Sequence, residues 1–297
     1  MKTLLFIIAL MAPISSPAAE NKAFQQILSI YGDDKEAMLN LPEGVACNDK
    51  SDLVIADTGN GRLLRFKFQD GKLTGGTEIK APELPYPVRL QLDSKGGVFA
   101  LDEKLRRIVR LTPEGAFAGY LEPQGLPAPN AFIPRSFKLD TNDAIYALDI
   151  AGDRVLVLDQ AGKFLRQVPF PKNRGFFSDL AVAASGDIFL LDSVNAAIYF
   201  AAKGGAGFTL LTKDLQAYAS FPTYMTTDNR GILYLVDQNG DAVVTVGYDG
   251  TFLARRLVMG WKDGQVNYPA QICISGGKTI YLTDRNNSKV QVFEVVK

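Results

Sequence analysis

Six aspartates recur along the chain at spacings of 45, 47, 43, 45 and 47 residues: Asp57, Asp102, Asp149, Asp192, Asp237 and Asp284. A carboxylate can serve as a general base or a metal ligand. Each of these, however, ends the same kind of apolar run, as in Leu53-Val54-Ile55-Ala56-Asp57 and Ile145-Tyr146-Ala147-Leu148-Asp149. Five residues after each Asp stands Arg62, Arg107, Arg154, Ala197, Ala242 or Lys289. Six copies, most followed by a cation, read as a hairpin device. In it the Asp accepts turn amides and pairs with the cation that opens the next strand.

Oxygen-rich turns such as Asp57-x-x-Asn60, Asp149-x-x-x-Asp153 and Asp237-x-Asn239-x-Asp241 raise the question of calcium. None completes an EF-hand loop, and turns favour these residue types in any case. The expectation is therefore no cofactor, with calcium held jointly by several repeats as the open alternative. The chain contains no histidine. That excludes serine–histidine and cysteine–histidine catalysis and histidine-ligated zinc, while leaving Thr, Lys or carboxylate mechanisms available. There is no Cys-x-x-Cys-His for covalent haem.

The elements that position these groups follow from the repeat. A proline stands 15 residues before the Asp in five copies, Pro42, Pro87, Pro134, Pro222 and Pro269, with Phe177 in its place in the fourth. Each copy then reads as a strand after the proline, a turn, the run ending in Asp, a second turn and a third strand. A weaker fourth strand opens on a glycine, as at Gly162-Lys163-Phe164-Leu165. Four antiparallel strands in each of six copies predict an all-β, six-bladed β-propeller. The sixth copy ends at Lys297 without a fourth strand, and a surplus one, Phe24 to Ile30, lies at the other end of the chain. The ring is expected to close through that N-terminal strand, which would otherwise leave an unpaired edge.

Leu41-Pro42-Glu43-Gly44-Val45-Ala46, Ile55-Ala56-Asp57-Thr58-Gly59-Asn60-Gly61-Arg62 and Asp263-Gly264-Gln265-Val266-Asn267-Tyr268-Pro269 resemble the repeat of NHL propellers. The resemblance covers nearly all of residues 20–297, and it is stronger in copies one and six than in copy four. It implies the fold and leaves function open, because such propellers serve unrelated tasks. Lactonases and an amidating lyase with related folds rely on metal sites that histidine assists or ligates, so their chemistry does not carry over. A related NHL protein binds RNA through a basic face. Here Arg106, Arg107 and Arg110 form a short cluster, but near-zero net charge and export argue against nucleic acid.

Lys2, the apolar run Leu4 to Met11 and Ser16-Pro17-Ala18-Ala19 read as a signal peptide over residues 1–19, too short to span a bilayer. A periplasmic or extracellular monomer with one domain over residues 20–297 is expected. Cys47 and Cys273 fall on opposite faces of equivalent strands in the first and last copies. Packed sheets lie about 10 Å apart, so buried free thiols are expected, and a disulfide would require the strands to converge near the axis.

One set of positions varies in every copy. Two residues after the proline stand Gly44, Arg89, Ser136, Asp179, Tyr224 and Gln271, and one residue after it Glu43, Arg135, Ser178 and Thr223 contribute. The next residue is always apolar. These variable positions predict a solvent-facing ligand site at one mouth of the central channel, binding a protein, peptide or glycan in a scaffold role. The alternative is a hydrolase or lyase that works through carboxylates or calcium in the channel.

Overall fold

The structure is a computed structural model that describes residues 23–172 and 175–296. Six four-stranded antiparallel sheets form a six-bladed β-propeller. The first blade comprises Gly44–Cys47, Asp52–Asp57, Arg62–Gln69 and Lys72–Ile79 from axis to rim, and the inner strands of the next four begin at Pro87, Pro134, Phe177 and Pro222. In the sixth blade Pro269–Ser275, Thr279–Asp284 and Lys289–Val296 are completed by Ala23–Ile30. That outer strand pairs antiparallel with the last one, from Ala23 opposite Val296 to Ile30 opposite Val290. The surplus strand therefore closes the ring. The expected signal peptide lies outside the described residues. Among the described residues no helix is long and apolar enough to cross a membrane.

The runs before each Asp lack polar alternation because both faces of these strands are buried. Leu53 and Ile55 pack with Tyr281, Val290 and Val292 of the sixth blade, whereas Val54 and Ala56 face Leu90, Val98 and Ala100 of the second. The same division at every seam yields six apolar clusters, each drawn from two neighbouring blades.

The repeated aspartates are fully buried. Asp57 accepts the amide of Asn40 at 2.7 Å and the Arg62 guanidinium at 2.7 Å. Asp149 accepts the Ile133 amide and Arg154 Nε, and Asp192 accepts the amides of Gly175 and Phe176. Each Asp thus fastens its own hairpin turn to the loop entering the same blade, a wider reach than turn capping alone.

Cys47 and Cys273 form a disulfide with Cα atoms 5.9 Å apart. This corrects the expectation of free thiols. The two residues do occupy facing sides of adjacent inner strands, and those strands approach much more closely beside the axis than flat packed sheets do.

Candidate functional site

The inner strands of blades two to six each carry a bulge at their first residues, for instance between Pro134 and Ser136 and between Phe177 and Asp179. An extra residue on one strand re-aims its neighbours. Here it separates the two variable positions into two layers, one within the channel and one at its mouth.

The deeper layer is not solvent-facing, which corrects the expectation for most of the ring two residues after the proline. Gly44, Ser136, Asp179, Tyr224 and Gln271 are all buried. The side chains of all but Gly44 meet around the axis. Asp179 accepts Ser136 Oγ and Lys138 Nζ from blade three and the Met225 amide from blade five. Lys138 Nζ also lies 3.4 Å from the Tyr224 ring centroid. The Tyr224 hydroxyl accepts Gln271 Nε2 at 3.1 Å, and Gln271 in turn pairs with both backbone groups of Leu90 in blade two. Five blades are tied together in this way, and a buried charge pair is tolerated because each member is hydrogen-bonded. Arg89, half-buried, rests 5.4 Å above Tyr224 and forms the boundary between this plug and the mouth.

Above the plug lies an open cavity of about 760 Å³. Three registers of the repeat supply its wall. One residue after the proline come Glu43, Arg135, Ser178 and Thr223, as the variable positions anticipated. One residue before it come Tyr86, Ile133, Phe176 and Tyr268, and one residue after the repeated Asp come Glu103, Ile150, Gln238 and Arg285. The last two registers were missed. The ungapped alignment contained the signal, since the residue after each Asp differs in all six copies.

The cavity wall pre-positions its charges. Arg135 Cζ lies 4.1 Å from the Phe176 ring and its Nη1 donates to the Phe177 carbonyl at 2.8 Å. Arg285 pairs with Glu43 at 2.9 Å. Burial disfavours the Arg285 charge, but the bonds to Glu43 outweigh it and raise its pKa. Asp102 is occupied by the amides of Tyr86 and Leu105. Glu103 is exposed and has no ion-pair partner among the described residues, as is also true of Arg106. The Thr223 hydroxyl, at the cavity wall, has no hydrogen-bond partner among the described residues. Among the described residues no three Asp, Glu, Cys or His side chains converge as metal ligands. Two of the wall carboxylates are already engaged, Glu43 by Arg285 and Asp102 by amides, while Glu103 is not.

No known family model matches the sequence, and no well-described protein shows significant sequence similarity to it. Similar solved structures do exist. A gluconolactonase from Xanthomonas campestris superposes with a TM-score of 0.66 at 13% identity, over 95% of this chain and 99% of that one. A catalytically inactive histidine-to-alanine variant of virginiamycin B lyase from Staphylococcus aureus, with quinupristin, gives 0.63 at 18%, over 93% and 100%. The PQQ-bound aldose sugar dehydrogenase of Streptomyces coelicolor gives 0.63 at 15%, over 94% and 99%. At these identities the likeness is one of fold, to propellers that are enzymes.

Proposed function

We propose that the mouth cavity is the active site of a histidine-independent hydrolase or lyase acting on a small carboxylate- or sulfate-bearing organic compound. The observation that carries this reading is the cavity, whose 760 Å³ suits one small organic molecule. Arg89 and Arg106 hold the anion, with guanidinium geometry matched to planar oxyanions. Glu103 has the exposure and freedom needed to move a proton. In ester or lactone hydrolysis it takes a proton from water as the water oxygen adds to the carbonyl. It then returns that proton to the departing oxygen, so that water and ester become acid and alcohol. No step calls on a metal.

The likeness to a lyase, gluconolactonases and a sugar dehydrogenase supports enzymatic use of this mouth. The lyase loses activity when one histidine is replaced, and this chain has none. Of the groups that remain, the exposed Glu103 carboxylate at the mouth is the one we assign to proton transfer. The absence of histidine also favours a second reading, in which the exported propeller is a scaffold that binds a protein, peptide or glycan without turnover. The Cys47–Cys273 disulfide supports an oxidising compartment for either role. The repeat itself we read as NHL-type on its Leu-Pro-Glu-Gly and Asp-Thr-Gly-Asn-Gly-Arg segments.

A panel of carboxylate-bearing lactones, esters and β-elimination substrates tests the proposal. Turnover of at least one member, lost about 10²-fold or more in Glu103→Gln while an unreactive analogue still binds, is the expected result. Binding without turnover across the panel would move the protein to the scaffold reading.

A further inference from the structure

The residue four after each repeated Asp adopts a left-handed backbone in every blade: Gly61, Arg106, Asp153, Ala196, Asp241 and Ser288 have φ between 43° and 62°. The hairpin turn requires this conformation, and Gly, Asn or Asp meet it at least cost. Five copies use glycine or a short side chain. Ala196 and Ser288 carry the same Cβ cost, and only the second copy places a long cationic side chain at this register.

Arg106 stands between two cavities. One side lines the mouth. The other lines a pocket of about 210 Å³ formed with Arg107, Tyr120, Leu126, Asn130 and Phe132. Arg107 Cζ lies 4.9 Å from the Tyr120 ring and Phe117 meets that ring edge-on, which fixes the aromatic wall. Arg106 is exposed and has no hydrogen-bond or ion-pair partner among the described residues. Its donors therefore remain available to whatever spans the two cavities.

We propose that mouth and side pocket form one elongated site for a short peptide, with a carboxylate of the peptide on Arg106 and a bulky apolar side chain between Tyr120, Leu126 and Phe132. This rests on the reading of the mouth as a site for carboxylate-bearing compounds and narrows its substrate class. In the side pocket Tyr120, Leu121, Pro123, Leu126 and Phe132 match a Leu or Phe side chain, and Arg107, Glu122 and Asn130 supply polar groups for the peptide backbone.

Titration calorimetry with acetyl-Phe-Asp and acetyl-Gly-Asp, with tartrate as an anion confined to the mouth, tests the assignment. The parent should bind acetyl-Phe-Asp at least tenfold more tightly than acetyl-Gly-Asp. Arg106→Gly, which relieves the backbone and should melt at or above the parent, should weaken acetyl-Phe-Asp at least tenfold and should weaken tartrate as well, because Arg106 also lines the mouth. Asn130→Trp, at an exposed position, should occupy the pocket and erase the Phe advantage while leaving acetyl-Gly-Asp unchanged. Equal binding of the two dipeptides overturns the side pocket and leaves the mouth reading standing, whereas full affinity for both acetyl-Phe-Asp and tartrate in Arg106→Gly removes Arg106 from either site and overturns the elongated site. If no anionic probe binds, tartrate included, both fall. Tighter binding of an oligouronate that is sensitive to Arg106→Gly would reassign the groove to a glycan.

Discussion

Replacing both cysteines in Cys47→Ser/Cys273→Ser should destabilise the propeller substantially. The bridge spans 226 residues, and closing a loop of that length removes about 5 kcal/mol of denatured-state entropy on the chain-entropy model. Strain and residual structure reduce such values, so a loss of about 3–5 kcal/mol is expected. With a urea dependence of about 3 kcal/mol per molar, the midpoint should fall by roughly 1 to 1.7 M. Far-UV circular dichroism in urea, with and without reductant, reads this directly. Trp261 fluorescence is a poor reporter because that side chain is already 73% exposed in the folded protein. The unreduced, denatured parent should titrate no free thiol. An unchanged midpoint in the double variant, or two reactive thiols in the parent, would refute the reasoning.

Deleting residues 20–31 removes the outer strand of the sixth blade and should abolish cooperative unfolding; a shortened chain that melts like the parent would disprove closure by this strand. Tyr224 is 2% exposed and packs between Lys138 and the sixth blade, so Tyr224→Ala should cost about 3–5 kcal/mol in denaturant titration. A near-parental midpoint would argue against the buried plug. Asp179→Asn should cost a similar amount, about 3–5 kcal/mol, by leaving the Lys138 ammonium buried without its carboxylate, and a milder loss would show that water reaches the pair. Stability should fall in acid. Burial raises the Asp192 pKa, but the amides of Phe176 and Gly175 outweigh it and hold the carboxyl below its ordinary value. Its contribution is therefore present above about pH 4 and lost as pH drops through the folded value. Asp284 is shifted upward by burial, so its contribution is complete at low pH and lost as pH rises through its folded value. Asp192→Asn should flatten the acid limb of a pH–stability curve and Asp284→Asn should not.

Much of the architecture was legible because it repeats. The Asp register, the proline at or near the start of five inner strands and the surplus of apolar residues before Ile30 all follow from burial and edge pairing, which leave periodic marks. The site was legible only in part. The bulge at the start of the inner strand in blades two to six divides neighbouring variable positions between a buried layer and a mouth, and a one-residue irregularity of pairing leaves no compositional trace. Ser136, Asp179, Tyr224 and Gln271 differ from copy to copy for a reason other than exposure. Each answers a different neighbour across the axis, as Asp179 answers Lys138 and Gln271 answers Leu90. The disulfide depended on how closely two strands approach beside that axis, a distance that spacing along the chain does not encode.

The polar plug makes the mouth a cul-de-sac. With Asp179, Lys138, Tyr224 and Gln271 filling the centre, whatever enters past Arg106 and Glu103 must leave by the same opening, so release of one molecule and entry of the next compete for one doorway. A slow-leaving product would act as its own inhibitor, and any element that narrowed the rim would slow both passages together. The turns on the far side, such as Asp93 to Gly97 and Asp140 to Ala144, contribute nothing to the wall of that chamber. They can carry a tag, a surface tether or an inserted loop without altering traffic through it.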